Sequence, residues 1–200
     1  MNSPSPYAKL LFVSLLTAGL FAQGPNFSAT INADGGSDTL SYALTFGFSP
    51  AASDSFDTGM DSFAPPAPPP PAFDAALVWN LERYYTQILN GSLDDVGVEH
   101  VYDIALTYDS NELVNLAWDN TGWSDLMSSC QLQDAFGGMM INVNMLDATS
   151  ISIENTAFTG LKLKVTPLAG SDEPDTYPVT FTVVDDGNDY TNVALKGQMT

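Results

Sequence analysis

Residues 46–71, FGFSPAASDSFDTGMDSFAPPAPPPP, limit what this chain can fold into more than any other stretch. Proline fixes φ and has no backbone N–H, so the block from Pro65 to Pro71 is excluded from helix interiors and from central strands. Just ahead of it, Asp54, Asp57 and Asp61 are spaced through a loop that contains Gly59. An acidic loop that runs into a stiff proline strip belongs on the outside of a β structure. It suggests an extracellular β module rather than an enzyme pocket.

The flanking text has the period of two that a half-buried strand requires. FSATINAD, the GG turn at Gly35 and Gly36, and TLSYALTFGF read as a hairpin. In VEHVYDIALTY one face carries Tyr102, Ile104, Leu106 and Tyr108, and in ELVNLAW one face carries Val114, Leu116 and Trp118. MMINVNML places Ile141, Val143 and Met145 together, SISI places Ile151 with Ile153, and FTGLKLKV places Leu161, Leu163 and Val165 together. Strands this short and numerous predict an all-β chain, an antiparallel β-sandwich of immunoglobulin-like or jelly-roll-like type. LVWNLERYYTQIL, residues 77–89, fits either a helical turn or two or a bulged strand.

The first 23 residues have the parts of a secretory leader: Lys9, the apolar run Leu10–Ala22, and a cleavage site after Ala22 or Gln23. Export to the medium or the cell surface is therefore expected. No later stretch has the length of a transmembrane helix. Cys130 is the single cysteine, so the exported domain is expected to depend on its core and to bury this thiol. Five Lys and Arg stand against 24 Asp and Glu, a formal charge of −19. Nucleic acid and anionic membrane are poor partners for such a surface, since both require a basic patch.

The chemistry in the sequence is sparse. Asp54, Asp57 and Asp61 offer hard oxygen ligands within one loop, which suits calcium. Aspartates in such loops also cap turns by accepting backbone N–H groups, and both readings stand at this point. Asp185, Asp186, Asn188 and Asp189 form a second acidic turn of the same ambiguous kind. The lone histidine, His100, lies in an alternating strand with no nucleophile signature beside it, so a structural place and a non-catalytic chain are expected. Trp79, Tyr84, Tyr85, Trp118 and Trp123 could offer flat faces to sugar rings. Trp118 is in phase with the core, which leaves Trp123 in the loop NTGW, together with Trp79, as the glycan-stacking candidates.

The run FGFSPAASDSFDTGMDSFAPPAPPPPAFDA, followed by YDIALTY, VNLAWDNTGW and CQLQDAFGGMMINV, resembles a module near the start of large secreted and surface proteins of bacteria that use type IX secretion. The likeness spans about residues 40–166. PVTFTVVDDGNDYTNVALKGQMT is similar, more weakly, to the opening strands of starch-binding and related immunoglobulin-like domains. Together these imply a leader at 1–23, a β-sandwich module at 24–166 with its Asp/Pro-rich loop at 49–71, a linker at 167–176, and at 177–200 the first strands of an incomplete immunoglobulin-like domain. The function implied is a structural or adhesive module whose partners are other domains of the same extracellular protein. The alternative is the accessory or carbohydrate-binding region of a secreted polysaccharide-degrading enzyme.

Overall fold

Apolar alternation becomes strand almost wherever it occurs in the computed structural model, which describes residues 25–35, 40–69, 71–109 and 113–168. The leader, the strands expected at 177–200 and the acidic turn at Asp185 to Asp189 lie outside the described residues. Eleven strands follow in order: β1 Phe27–Gly35, β2 Ser41–Ser49, β3 Ser62–Phe63, β4 Asp74–Trp79, β5 Glu82–Asn90, β6 His100–Thr107, β7 Val114–Trp118, β8 Met127–Asp134, β9 Asn142–Asn144, β10 Ser150–Ile153 and β11 Gly160–Pro167. Among the described residues the only helix is one 3₁₀ turn, Trp123–Asp125. None is long and apolar enough to cross a membrane.

The strands form one sheet in the order β10-β7-β1-β2-β5-β4-β6-β11-β8-β9, with β3 added beside β5. The two strands at the ends of this order, β9 and β10, are consecutive in the chain and joined by a short turn, so the sheet curls nearly into a closed barrel-like shape. Rings from distant strands meet inside it. Phe46 of β2 lies edge-on to Tyr102 of β6 at 5.5 Å, and Phe27 of β1 meets Trp123 at 6.1 Å.

The expected purely antiparallel sheet needs correcting, because β2 and β5 pair in parallel from Thr45↔Thr86 to Ser49↔Asn90. The cause is the Asp/Pro loop: it carries the chain away from the end of β2, through β3, and back to β4, so β5 arrives at β2 running the same way. A parallel pair requires just such a long crossover. The ambiguous stretch at 77–89 resolves into β4, a tight turn at Asn80-Leu81, and β5. The expected faces of β6, β7 and β11 do point inward: Tyr102, Ile104, Leu106, Val114, Leu116, Leu161, Leu163 and Val165 are all buried. The last strand runs one residue into the expected linker, since Pro167 still pairs with Met127 and Leu168 N–H donates to the Leu126 carbonyl at 2.8 Å.

At Gly47 the fold requires glycine. A Cβ there would collide with the Phe27 carbonyl and the Ser28 Cα across the β1–β2 pair. The Gly47 carbonyl in turn accepts the Tyr102 hydroxyl at 2.6 Å, inside the core. That bond ties β2 to β6 through a phenol that would otherwise be buried without an acceptor.

Candidate functional site

The acidic loop lies against β5, and its three aspartates each hold backbone. Asp61 sits in the middle: one carboxylate oxygen accepts the Asp57 N–H at 2.8 Å, and the other accepts the Ile88 N–H of β5 at 2.7 Å. Asp57 accepts the Ser53 N–H at 2.5 Å and the Ser53 hydroxyl at 3.0 Å. Asp54 accepts the Asn90 N–H at 3.2 Å, and the Asn90 side chain donates back to the Ala52 carbonyl at 2.7 Å. Burial pushes the Asp61 carboxyl above the usual carboxylate range, while the N–H groups of Asp57 and Ile88 pull the other way.

This arrangement is capping. Along this stretch β5 pairs with β2 on one edge, while on its other edge the two-residue strand β3 reaches only Tyr84 and Thr86, and the Ile88 and Asn90 amides take side-chain acceptors. Among the described residues no group of three or more His, Cys, Asp or Glu side chains is disposed to hold a metal ion. One oxygen each of Asp54 and Asp57 and both oxygens of Asp61 accept N–H groups in this arrangement.

The loop also carries a surface that the sequence reading passed over. Phe56 stacks on Phe63 with centroids 4.2 Å apart and planes within 4°, and Phe63 stacks in turn on Tyr84 of β5 at 5.1 Å. Phe63 is half exposed. Tyr84 is the buried base of this column; its hydroxyl donates to Glu82 at 2.9 Å, and burial pushes its pKa up to about 12. Beside the column a shallow groove is lined by Phe63, Pro66, Leu81, Glu82 and Arg83. Arg83 is fixed there: it donates to the Pro65 carbonyl at 3.1 Å and forms an ion pair with the buried Asp74.

Trp118 lies in the core as its phase in the sequence implied, and Trp123 and Trp79 also pack against the core. Trp123 is 5% exposed, and its ring packs edge-on against Phe27 and Phe46, so it has no face to offer a sugar. Gly122, at φ 77°, turns the NTGW loop inward and drops the indole into the core. Trp118 is buried too, its indole N–H donating to the Ala148 carbonyl at 2.7 Å. Trp79 is half-buried at the end of β4 and packs on the core cluster. The aromatic surface is made by phenylalanines, and the hint lay in DSFDTGMDSF, where Phe56 and Phe63 bracket the acidic loop they ride on.

His100 is buried and stacks flat on Phe48 at 4.5 Å, and no partner reaches its Nε2. Burial lowers its pKa from the ordinary imidazole value, against the opposing carboxylates of Asp95 and Asp54. Cys130 is buried as expected, 3.8 Å from the Met145 sulfur, and burial pushes its thiol up to about 12. A thiol held protonated in this way is a poor nucleophile.

One aspartate escaped the reading of the sequence. Asp134, at the end of β8, is fully buried and accepts four N–H groups: Phe136 at 2.7 Å, Gly138 at 3.2 Å, Met140 at 2.7 Å and Ile141 at 2.6 Å. These bonds, that of Ile141 foremost, hold its carboxyl below the usual carboxylate range. Gly137 and Gly138, at φ 80° and 81°, supply the left-handed turn that wraps the loop around it.

No family model matches the chain, no curated protein is similar to it, and no solved structure matches its fold.

Proposed function

We propose that this chain is a secreted, non-catalytic β module with a structural or adhesive role in a larger extracellular protein. The observation that carries the reading is the use made of its polar side chains. Asp54, Asp57, Asp61 and Asp134 hold backbone amides, Arg83 holds Asp74, and His100 is packed on Phe48. These residues rigidify a scaffold. In this reading the folded-over sheet serves as a sandwich-type module, with Phe46 and Tyr102 meeting across its interior. The leader-like start supports export, and mass spectrometry of the exported protein tests it: an N-terminus near Gln23 or Gly24 is expected, and an intact Met1 contradicts the reading.

A carbohydrate-binding accessory role is the second reading, favoured by the Phe56–Phe63 column rather than by the tryptophans first considered. Its exposed rings could stack on apolar sugar faces beside the Glu82 carboxylate. A glycan array on the purified chain, with Phe63→Ala as control, separates the two. Binding lost in the variant establishes the accessory role, and no binding leaves the structural module.

Calcium enters either reading only by competing with the amides that Asp54, Asp57 and Asp61 already hold. Calorimetry with Asp57→Ala alongside the native chain measures whether it does so.

A further inference from the structure

His100, the single histidine, is 7% exposed at the start of β6, with its ring flat on Phe48 of β2. The ring edge meets the backbone at Gly91, where a Cβ would run into Cε1 and Nε2. Gly91 opens the segment 91–99 that joins β5 to β6, so this connection is seated on the ring it leads into. Among the described residues no partner reaches Nε2, which is fully enclosed.

A neutral imidazole tolerates this, because one of its nitrogens carries a bare lone pair. An imidazolium does not, since both nitrogens then carry N–H groups, and a buried donor without an acceptor is costly. The charged groups that face the ring come from two loops. Asp54, in the connection after β2, and Asp95, in the segment itself, both favour the protonated ring against the burial that opposes it. Phe48 and Gly91 bring no charge, and Glu99, next to His100 on its own chain, is taken by Lys164 of β11 at 3.2 Å.

Both facing carboxylates are already engaged. Asp54 accepts the Asn90 N–H at 3.2 Å, and Asp95 accepts the Ser92 N–H at 2.8 Å. With the Ser92 hydroxyl donating to Asp94 at 3.4 Å and the Leu93 N–H donating to Asn26 at 2.5 Å, these bonds hold the segment down. Apolar contact adds less: Leu93 packs on the core, but Val96 and Val98 are 54% and 51% exposed. A segment held by polar bonds at the surface opens at less cost than the strands beneath it. A proton on His100 gains a partner by drawing Asp54 or Asp95 off its amide, or by admitting water, and either lifts the segment.

We propose that His100 and segment 91–99 form an acid-sensitive latch: the segment lies closed on the neutral ring, and protonation of His100 releases it while the strands stay folded. The direction follows from the enclosure of Nε2. The open state gives that nitrogen water, so it binds the proton more readily than the closed state and gains population as pH falls through the imidazole range.

Amide hydrogen exchange resolved by NMR at about pH 7 and about pH 5 is the test, each rate being corrected for the intrinsic effect of pH. The expected result is at least a severalfold loss of protection at Gly91 and Leu93 at the lower pH, with Ile104 and Leu163 far better protected at both. His100→Phe keeps a flat ring on Phe48 but takes no proton, so its segment is expected to be equally protected at the two pH values. Gly91→Ala forces ring and segment apart and is expected to show low protection at both. A native segment whose protection is the same at both pH values overturns the proposal. So does a segment that exchanges only together with the core amides, which would mean that it has no opening of its own. A pH response that persists in either variant overturns it as well, and would assign the effect to the carboxylates.

Discussion

Asp61 shows how much of this molecule depends on single side chains. Its two oxygens hold the amide of its own loop at Asp57 and the amide of Ile88 on β5, so one residue fastens the crossover to the sheet. Asp61→Ala leaves both N–H groups without acceptors and is expected to cost about 2 kcal/mol, readable as a lowered urea midpoint at unchanged m-value. His100 acts through its proton. Because burial lowers its pKa below 6.5, the folded state binds this proton less readily than the unfolded chain. The contribution is fully present above the ordinary imidazole value and is lost progressively as pH falls beneath it. Urea titrations between about pH 7 and about pH 5 should therefore show falling stability, and His100→Leu should flatten that slope. An equal slope in the variant would assign the effect to the carboxylates.

At the scale of elements, the strands were legible and the connections were not. Tyr102, Ile104 and Leu106, or Leu161, Leu163 and Val165, alternate so regularly that their inward face could be read directly. The β4–β5 turn could not, because its two residues are Asn80 and Leu81, at φ 49° and 70°, where Asn-Gly is the usual signal. Leu81 is 99% exposed, so nothing in its packing compensates for the left-handed backbone. Leu81→Gly is expected to stabilise the protein by about 1 kcal/mol, seen as a rise of a few degrees in Tm. The candidate site was half legible. Asp54, Asp57 and Asp61 stood out by spacing, but the β5 targets of Asp61 and Asp54 lie 27 and 36 residues away in sequence. Asp134 was invisible for a related reason: its four partners follow it closely, yet only the folded loop aims their amides inward. Trp123 misled because NTGW reads as a surface turn, and the left-handed Gly122 is what sends the indole into the core.

For the whole molecule, the parallel β2–β5 pair decides the architecture. It lets the sheet curl until β9 and β10, joined in sequence, stand at its two ends. The acidic loop makes that pair practicable, because it spans the crossover and supplies acceptors to β5 amides. The central claim is that these carboxylates serve the fold and not a bound ion. Amide hydrogen exchange in chelator-treated protein tests it most directly, followed at the Asp57, Ile88 and Asn90 amides. The account predicts slow exchange at Ile88 without calcium, slower than at exposed loop amides, and no further slowing when calcium is added. Fast exchange at all three amides, becoming slow only with calcium, would contradict it.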